Sequence, residues 1–265
     1  MLLKENVPTP DQVKRFYNAF SRDRMLSYRI SGNLRIERAV EFFCSAINED
    51  EAILDVGCGI GILTEAMAKR TRGYVLGIDI SDQNIWYAQK TAVASNLKFM
   101  VADVLDDTIA LPFDRPPSLI TLCDVIEHIP DDRRRKLFKK FSEIGASNLR
   151  VMMTYPTAAN LEYLEKEMPS EIQIIDNRIP PELMAIEASE AGLHMTHFTM
   201  VSVWRQFEYA YCIFERKESV QTKVRIQVHS SQSIRQKLWN KIARPFVERR
   251  RYKQYVDDVF GEDIK

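Results

Sequence analysis

The sequence predicts an α/β chain, built as a doubly wound, mostly parallel sheet of seven strands with one reversed strand in a terminal hairpin. Three observations predict it. Ala52 to Val56 is a short apolar run interrupted by Asp55, followed by a turn with glycine at 57, 59 and 61, and Ile62 to Ala68 then reads as helical. Further apolar runs alternate with helical stretches beyond it, the pattern of parallel strands joined by crossover helices. Near residue 205 two strand-like runs, His194 to Trp204 and Phe207 to Phe214, are separated only by Arg205-Gln206. So short a link leaves no room for a crossover helix, so these two pair antiparallel.

The elements follow in order. Pro10 to Phe20 is an amphipathic helix with Val13, Phe16, Tyr17 and Phe20 on one face, and Arg35 to Ala46 is another with Ile36, Val40, Phe43 and Cys44 inward. Gly73 to Asp79 is an apolar strand ending in an acid. Asp82 to Ala94 is a helix with Ser81 as its N-cap. Leu97 to Val101 and Leu119 to Cys123 are strands. Asp131 to Ile144 is a helix, with Leu137, Phe138, Phe141 and Ile144 at helical spacing. Leu149 to Tyr155 is a strand stopped by Pro156. Residues 157–179 are an acidic insertion, and Pro181 to Ala191 is a helix ended by Gly192.

Composition narrows the function classes. At 265 residues the chain holds one sizeable α/β domain with extra elements. Its formal net charge is zero, so no global field favours nucleic acid or an acidic substrate. No apolar run approaches the ~18 residues of a membrane span, and Met1 to Asn6 lacks a secretory signal's apolar segment. Cys44, Cys58, Cys123 and Cys212 are scattered without C-x-x-C spacing, so neither a zinc site nor a disulfide framework is indicated. Buried thiols in a reducing cytoplasm are the expectation.

The glycine turn carries the functional signal. A dinucleotide fingerprint needs G-x-G-x-x-G, whereas this turn is G-x-G-x-G with Ile62 in the place of the third glycine. Asp55 precedes the first glycine by two residues. A carboxylate there repels a pyrophosphate and suits a cationic ligand. S-adenosylmethionine, with an ammonium, a sulfonium and no phosphate, meets that condition. Asp55-Val56-Gly57-Cys58-Gly59-Ile60-Gly61 resembles the first motif of the class I S-adenosylmethionine-dependent methyltransferases. The element order resembles theirs over about residues 33–216. The resemblance implies a Rossmann-like sheet with the seventh strand reversed between the fifth and sixth.

The resemblance also implies a cofactor site. Asp55, Gly57, Cys58, Gly59 and Gly61 would serve the methionine end, Asp55 near the ammonium through water. Asp79 would take two ribose hydroxyls, and Asp103 the adenine amino group, with Ile80 and Val104 sandwiching the ring. Tyr17, Tyr28 and Arg29, from helices that lie over the pocket in this family, are candidate pocket residues.

Chemistry is expected after the fourth strand, in Leu122 to Asp131, which resembles the family's Glu-His-Ile-Pro motif. Three readings stand. His128 can be a general base, because imidazole titrates near neutrality. Asp124, Glu127 and His128 can instead chelate a divalent ion, a pattern similar to magnesium-binding RNA 2′-O-methyltransferases and ubiquinone-precursor O-methyltransferases. The RNA enzymes add a downstream histidine with no convincing equivalent after Pro156, where His194 and His197 of the sixth strand read as structural. Finally, the segment can simply cap the next helix and wall the cofactor, with Asp124 part of that wall.

Three regions are expected: a helical cap over 1–50, a cofactor-binding core over 51–216 and an extension over 217–265. Lys223 to His229 alternates as an extra strand, and the basic stretch Ser233 to Tyr255 carries Ile234, Leu238, Ile242 and Phe246 at helical spacing. Such a helix can pack on the domain, contact an anionic membrane surface or grip nucleic acid; the last is disfavoured by the neutral remainder. The reading is an O-methyltransferase of a small molecule or glycan sugar, cytoplasmic or membrane-peripheral. Its rivals are an RNA 2′-O-methyltransferase using a divalent metal and a catalytically silent cofactor-binding module.

Overall fold

Alternate residues along the central strands are buried on opposite sides of one sheet, and this pleat organises the molecule. A computed structural model describes residues 8–20 and 26–216. The expected strand and basic helix beyond 216 lie outside the described residues. The strands are β1 (Ile53–Val56), β2 (Val75–Asp79), β3 (Leu97–Val101), β4 (Leu119–Cys123), β5 (Arg150–Pro156), β6 (Leu193–Val201) and β7 (Tyr209–Arg216). They lie in the order β3-β2-β1-β4-β5-β7-β6. Strands β1 to β5 pair in parallel, and β7 runs antiparallel to both β5 and β6. The expected reversed strand is therefore in place.

Leu54, Ile120, Val151 and Phe214 face one layer, completed by Leu137, Phe138 and Phe141 of α6 (Asp131–Ile144) and Met184 of α8 (Pro181–Glu190). Their neighbours Ile53, Leu119, Met152 and Ile213 face the other layer, with Phe43 of α3 (Leu34–Ser45) and Met67 of α4 (Ile62–Ala68). Each such side chain contributes about 1.5–3 kcal/mol on burial. The remaining helices are α1 (Pro10–Phe20), α2 (Leu26–Ser31), α5 (Asp82–Thr91) and α7 (Ala158–Glu167).

Several expectations shift. In α3 the buried face is Ala39, Phe42 and Phe43; Ile36, Val40 and Cys44 sit at its edge. Helix α5 has the expected Ser81 cap, whose hydroxyl accepts from Asn84 N, yet it stops at Thr91 because Ala92 turns extended. The 157–179 segment holds α7 and a 3-10 turn, Pro169–Glu171. The β6–β7 link spans 202–208, longer than Arg205-Gln206. Glu208 folds it by accepting from the backbone N–H of Trp204 (2.9 Å) and Arg205 (2.6 Å). Strand order reverses between β1 and β4, and the carboxyl ends around that point form the crevice where open α/β sheets bind ligands.

Candidate active site

A cavity of about 550 Å³ opens at this switch point, within the 300–1,000 Å³ typical of ligand pockets. Its walls come from the ends of β1, β2 and β4, from α1 and α3, and from the 156–176 and 204–209 segments.

The first wall is the glycine turn. Gly57, Gly59 and Gly61 all have positive φ, of 69°, 54° and 77°. At Gly57 a Cβ would also overlap the Val125 side chain, so bare backbone is required. Gly61, expected at the methionine end, does not line the cavity. It faces Phe99 and Ala88, with a Cβ placed 2.6 Å from Phe99 Cζ. Its freedom serves the close packing of α4 on β3 and α5.

The acids of this wall are held in hydrogen bonds. Asp55 is buried and accepts from Thr64 Oγ1 (2.6 Å) and Thr121 Oγ1 (2.7 Å). Burial pushes its carboxyl up to about 6 against the pull of those two hydroxyls. Asp79 accepts from Gly59 N (2.9 Å) and Ser81 N (2.8 Å), tying the turn to the end of β2. Burial raises its pKa too. Asp103 is exposed and accepts from Leu105 N at 2.8 Å. Cys58, Ile80, Asp103 and Val104 all line the cavity. So do Tyr17 and Tyr28, but Arg29 turns away to Glu65 and the Thr91 carbonyl. The pull of that carboxylate explains its departure from the expected pocket.

The second wall is the loop after β4. Asp124 has φ 54°, and Ile126–His128 is a single 3-10 turn. Asn177 clamps it, donating its backbone N–H to the Glu127 carbonyl and its amide to the Glu127 and Ile129 carbonyls, each at 2.9 Å. His128 Nδ1 lies 2.6 Å from the Ile175 carbonyl and 3.1 Å from Asp176 Oδ1. A carbonyl only accepts, so Nδ1 carries a proton. The other nitrogen, Nε2, is left for a proton from elsewhere, 3.7 Å from Glu127 Oε1. Burial pulls the imidazole down, but Glu127, Asp176 and the Ile175 carbonyl outweigh it and its pKa stands above the ordinary value. Burial pushes Glu127 up to about 7, and its Oε2 has no hydrogen-bond partner among the described residues. The Tyr17 ring covers the imidazole with centroids 5.7 Å apart.

The chelating triad does not fit. Asp124 is ion-paired with Arg35 of α3 and accepts from Thr154 Oγ1 at 2.7 Å. A guanidinium at that carboxylate opposes a second cation. Among the described residues no three His, Cys, Asp or Glu side chains converge as a metal ligand set. Asp124, Glu127 and His128 share a wall of the cavity but are not arranged around a common point.

Sequence reasoning missed Arg35, Asp176 and Asn177. Arg35 follows the Asn33 cap, whose side chain accepts from Arg35 N at 3.0 Å, so a cap before a charged first turn was a usable signal. Asp176 and Asn177 sit in an irregular segment with no periodicity to mark them.

Known proteins resemble this chain in sequence and fold. Residues 53–146 match the family described as a methyltransferase domain. That stretch runs from β1 through the glycine turn to the end of α6. The resemblance read from the glycine turn and the strand order therefore holds. A ubiquinone biosynthesis O-methyltransferase of Neisseria meningitidis is 34% identical over 156 residues, covering 53% of this chain and 63% of that protein. One from Pseudomonas fluorescens is 28% identical over 148 residues with the same coverage. The match thus spans less than two thirds of these relatives' length. The methyltransferase domain also shares its fold with solved structures. Magnesium protoporphyrin IX methyltransferase from Synechocystis with bound S-adenosylhomocysteine gives a TM-score of 0.63 at 17% identity, covering 78% of this chain and 99% of that one. The N-methyltransferase NodS of Bradyrhizobium japonicum, also with S-adenosylhomocysteine, gives 0.59 at 15%, covering 76% and 99%. Among the described residues no helix is long and apolar enough to cross a membrane.

Proposed function

We propose that this chain is an S-adenosylmethionine-dependent methyltransferase acting on an oxygen of a small molecule, with His128 as general base. The observation that carries this reading is the proton on His128 Nδ1, held by Ile175 and Asp176, which leaves Nε2 as the basic nitrogen of a side chain that lines the cavity. A base oriented by a carboxylate is the arrangement expected for removing a hydroxyl proton. The O-methyltransferase relatives support oxygen as the acceptor atom.

The cofactor fits the first wall by charge and shape. Gly57 and Gly59 present backbone, Asp55 supplies an acid near an ammonium, and Asp79 keeps lone pairs for ribose hydroxyls. Ile80 and Val104 offer apolar surface to the adenine, with Asp103 beside them at the rim. Arg35 supplies the cation that an amino-acid carboxylate requires, and Asp124 holds it. Bound there, S-adenosylmethionine supplies a sulfonium-activated methyl group. His128 Nε2 would take the proton of the acceptor hydroxyl. Asp176 and the Ile175 carbonyl stabilise the imidazolium that results. Tyr17 and the helices of 1–50 cover the site and exclude water. The core over 51–216 carries the chemistry, and the buried free thiols Cys58 and Cys212 suit a reducing cytoplasm.

Calorimetric titration with S-adenosylmethionine, with NAD as control, tests the cofactor. Binding of the first alone is expected; equal binding of both, or of neither, ends the reading.

A further inference from the structure

We infer that Arg205 is a specificity-determining residue that binds an anionic group, a carboxylate or a phosphate, on the methyl acceptor. The inference rests on the methyltransferase reading for the place where the acceptor enters.

The loop between β6 and β7 is built to hold this side chain. Glu208 is buried and its Oε2 accepts from the N–H groups of Trp204 and Arg205. Thr157, at the end of β5, donates Oγ1–H to the Phe207 carbonyl and N–H to the Glu208 carbonyl, each at 2.9 Å. Phe207 is held at φ 55°, a left-handed conformation that strains a side-chain-bearing residue. Strain of this kind persists only where surrounding contacts over-determine it. The result is that Trp204 and Arg205 both line the cavity.

Arg205 is not consumed by the protein. Nη2 donates to Asn160 Oδ1 at 3.1 Å, and the guanidinium carbon stands 4.8 Å over the Tyr163 ring. Its contact with Glu208 Oε1 is 3.9 Å, beyond a hydrogen bond. Arg205 Nε, Asn160 Nδ2 and Glu208 Oε1 are buried and have no hydrogen-bond partner among the described residues. Buried polar atoms are almost always paired, so three orphans in one network mark an incomplete site. Stacking on Tyr163 fixes the guanidinium plane, as fork recognition of a carboxylate or phosphate requires.

The carboxylate of Glu208, 3.9 Å from Arg205 Nη2, is itself engaged by the Trp204 and Arg205 N–H groups, and four acids of the cavity are engaged elsewhere. Asp55 and Asp79 are bonded at the cofactor wall, Asp124 is neutralised by Arg35, and Asp176 accepts from Gln173 N at 2.7 Å and faces His128. With the side chain one-third exposed, Arg205 offers its remaining donors from the lining of the cavity.

The test uses the full chain saturated with S-adenosylhomocysteine and two matched pairs of probes. One pair is 4-hydroxybenzoate and its methyl ester; the other is glucose 6-phosphate and glucose. Calorimetry is expected to give at least tenfold tighter binding for the anionic member of one pair, and the pair that responds names the anion. Arg205→Met should erase the preference, and Arg205→Lys should keep part of it because charge remains while the fork is lost. Affinity for S-adenosylhomocysteine should stay within about twofold in both variants, which separates this test from the cofactor reading. Equal binding within both pairs, no detectable anion binding, or a preference that survives Arg205→Met overturns the inference.

Discussion

The two walls of the cavity are built by different means. The cofactor wall is nearly continuous in sequence: Asp55 to Gly59, then Asp79 and Ile80, all at strand ends and joined by bonds within one sheet edge. The acceptor wall is assembled from three distant segments, 124–129, 173–177 and 204–209, locked by side chain to backbone bonds such as Asn177 to the Glu127 carbonyl. A short-range wall tolerates little change in shape, whereas a composite wall can be altered one contact at a time. Substitutions in the two regions should therefore fail differently.

The largest effect is expected at the base. His128→Ala should lower turnover by about 10²- to 10⁴-fold while leaving S-adenosylmethionine affinity nearly unchanged. Single-turnover kinetics and calorimetry on the same sample read both quantities. A parallel loss of cofactor binding would erase the distinction between the walls.

Next comes the glycine turn. Gly57→Ala should cost about 2–5 kcal/mol, from left-handed strain plus overlap with Val125, and it should abolish cofactor binding. Gly192, at φ 75° with nothing within 4 Å of its Cβ position, is the internal control. There Ala should cost only about 1–2 kcal/mol in thermal unfolding and spare binding.

Asp176→Asn should reduce turnover by about tenfold and move the acidic limb of the pH–rate profile. Neutral His128 is the active form, so activity falls as pH drops through its pKa. Asp176 helps to raise that pKa. Its removal should shift the limb to lower pH; an unmoved limb would leave Asp176 structural.

Asp55 separates stability from binding. Its folded pKa of about 6 lies above the unfolded carboxylate value, so its contribution is fully present below about pH 4 and is lost as pH rises through 6. Above that the ionised carboxylate costs about 1–3 kcal/mol. Asp55→Asn should raise stability by that amount at pH 8 and leave it unchanged at pH 4, while weakening S-adenosylmethionine binding. Denaturant titrations at the two pH values decide it. The smallest effect is that of a chelator: with Asp124 paired to Arg35, excess EDTA should leave turnover unchanged.

The cofactor wall was legible before the structure because its residues are local. An apolar run, an acid and glycines at alternate positions define a strand and a turn that allow one chain path, and the burial of β1 and β2 on both faces follows from their mostly apolar sequences, each with one acid. Helix α6 was readable end to end from the spacing of Leu137, Phe138 and Phe141. The errors fall where capping or long-range contacts decide. Phe42 is buried in the layer under the sheet while Val40 only borders it. Arg29 leaves the pocket for Glu65, 36 positions away.

By itself the sequence determined the fold class, the succession of strands and helices along the chain and the ligand-binding end of the sheet. These follow from periodicity and turn chemistry, which are short-range. Only the tertiary structure decided that Arg35 neutralises Asp124, that Asp176 and Ile175 set the His128 tautomer, and that Arg205 lines the cavity. Those outcomes depend on which distant segments meet, and hydrogen bonds and charges act over a few ångströms of space, whatever the separation along the chain.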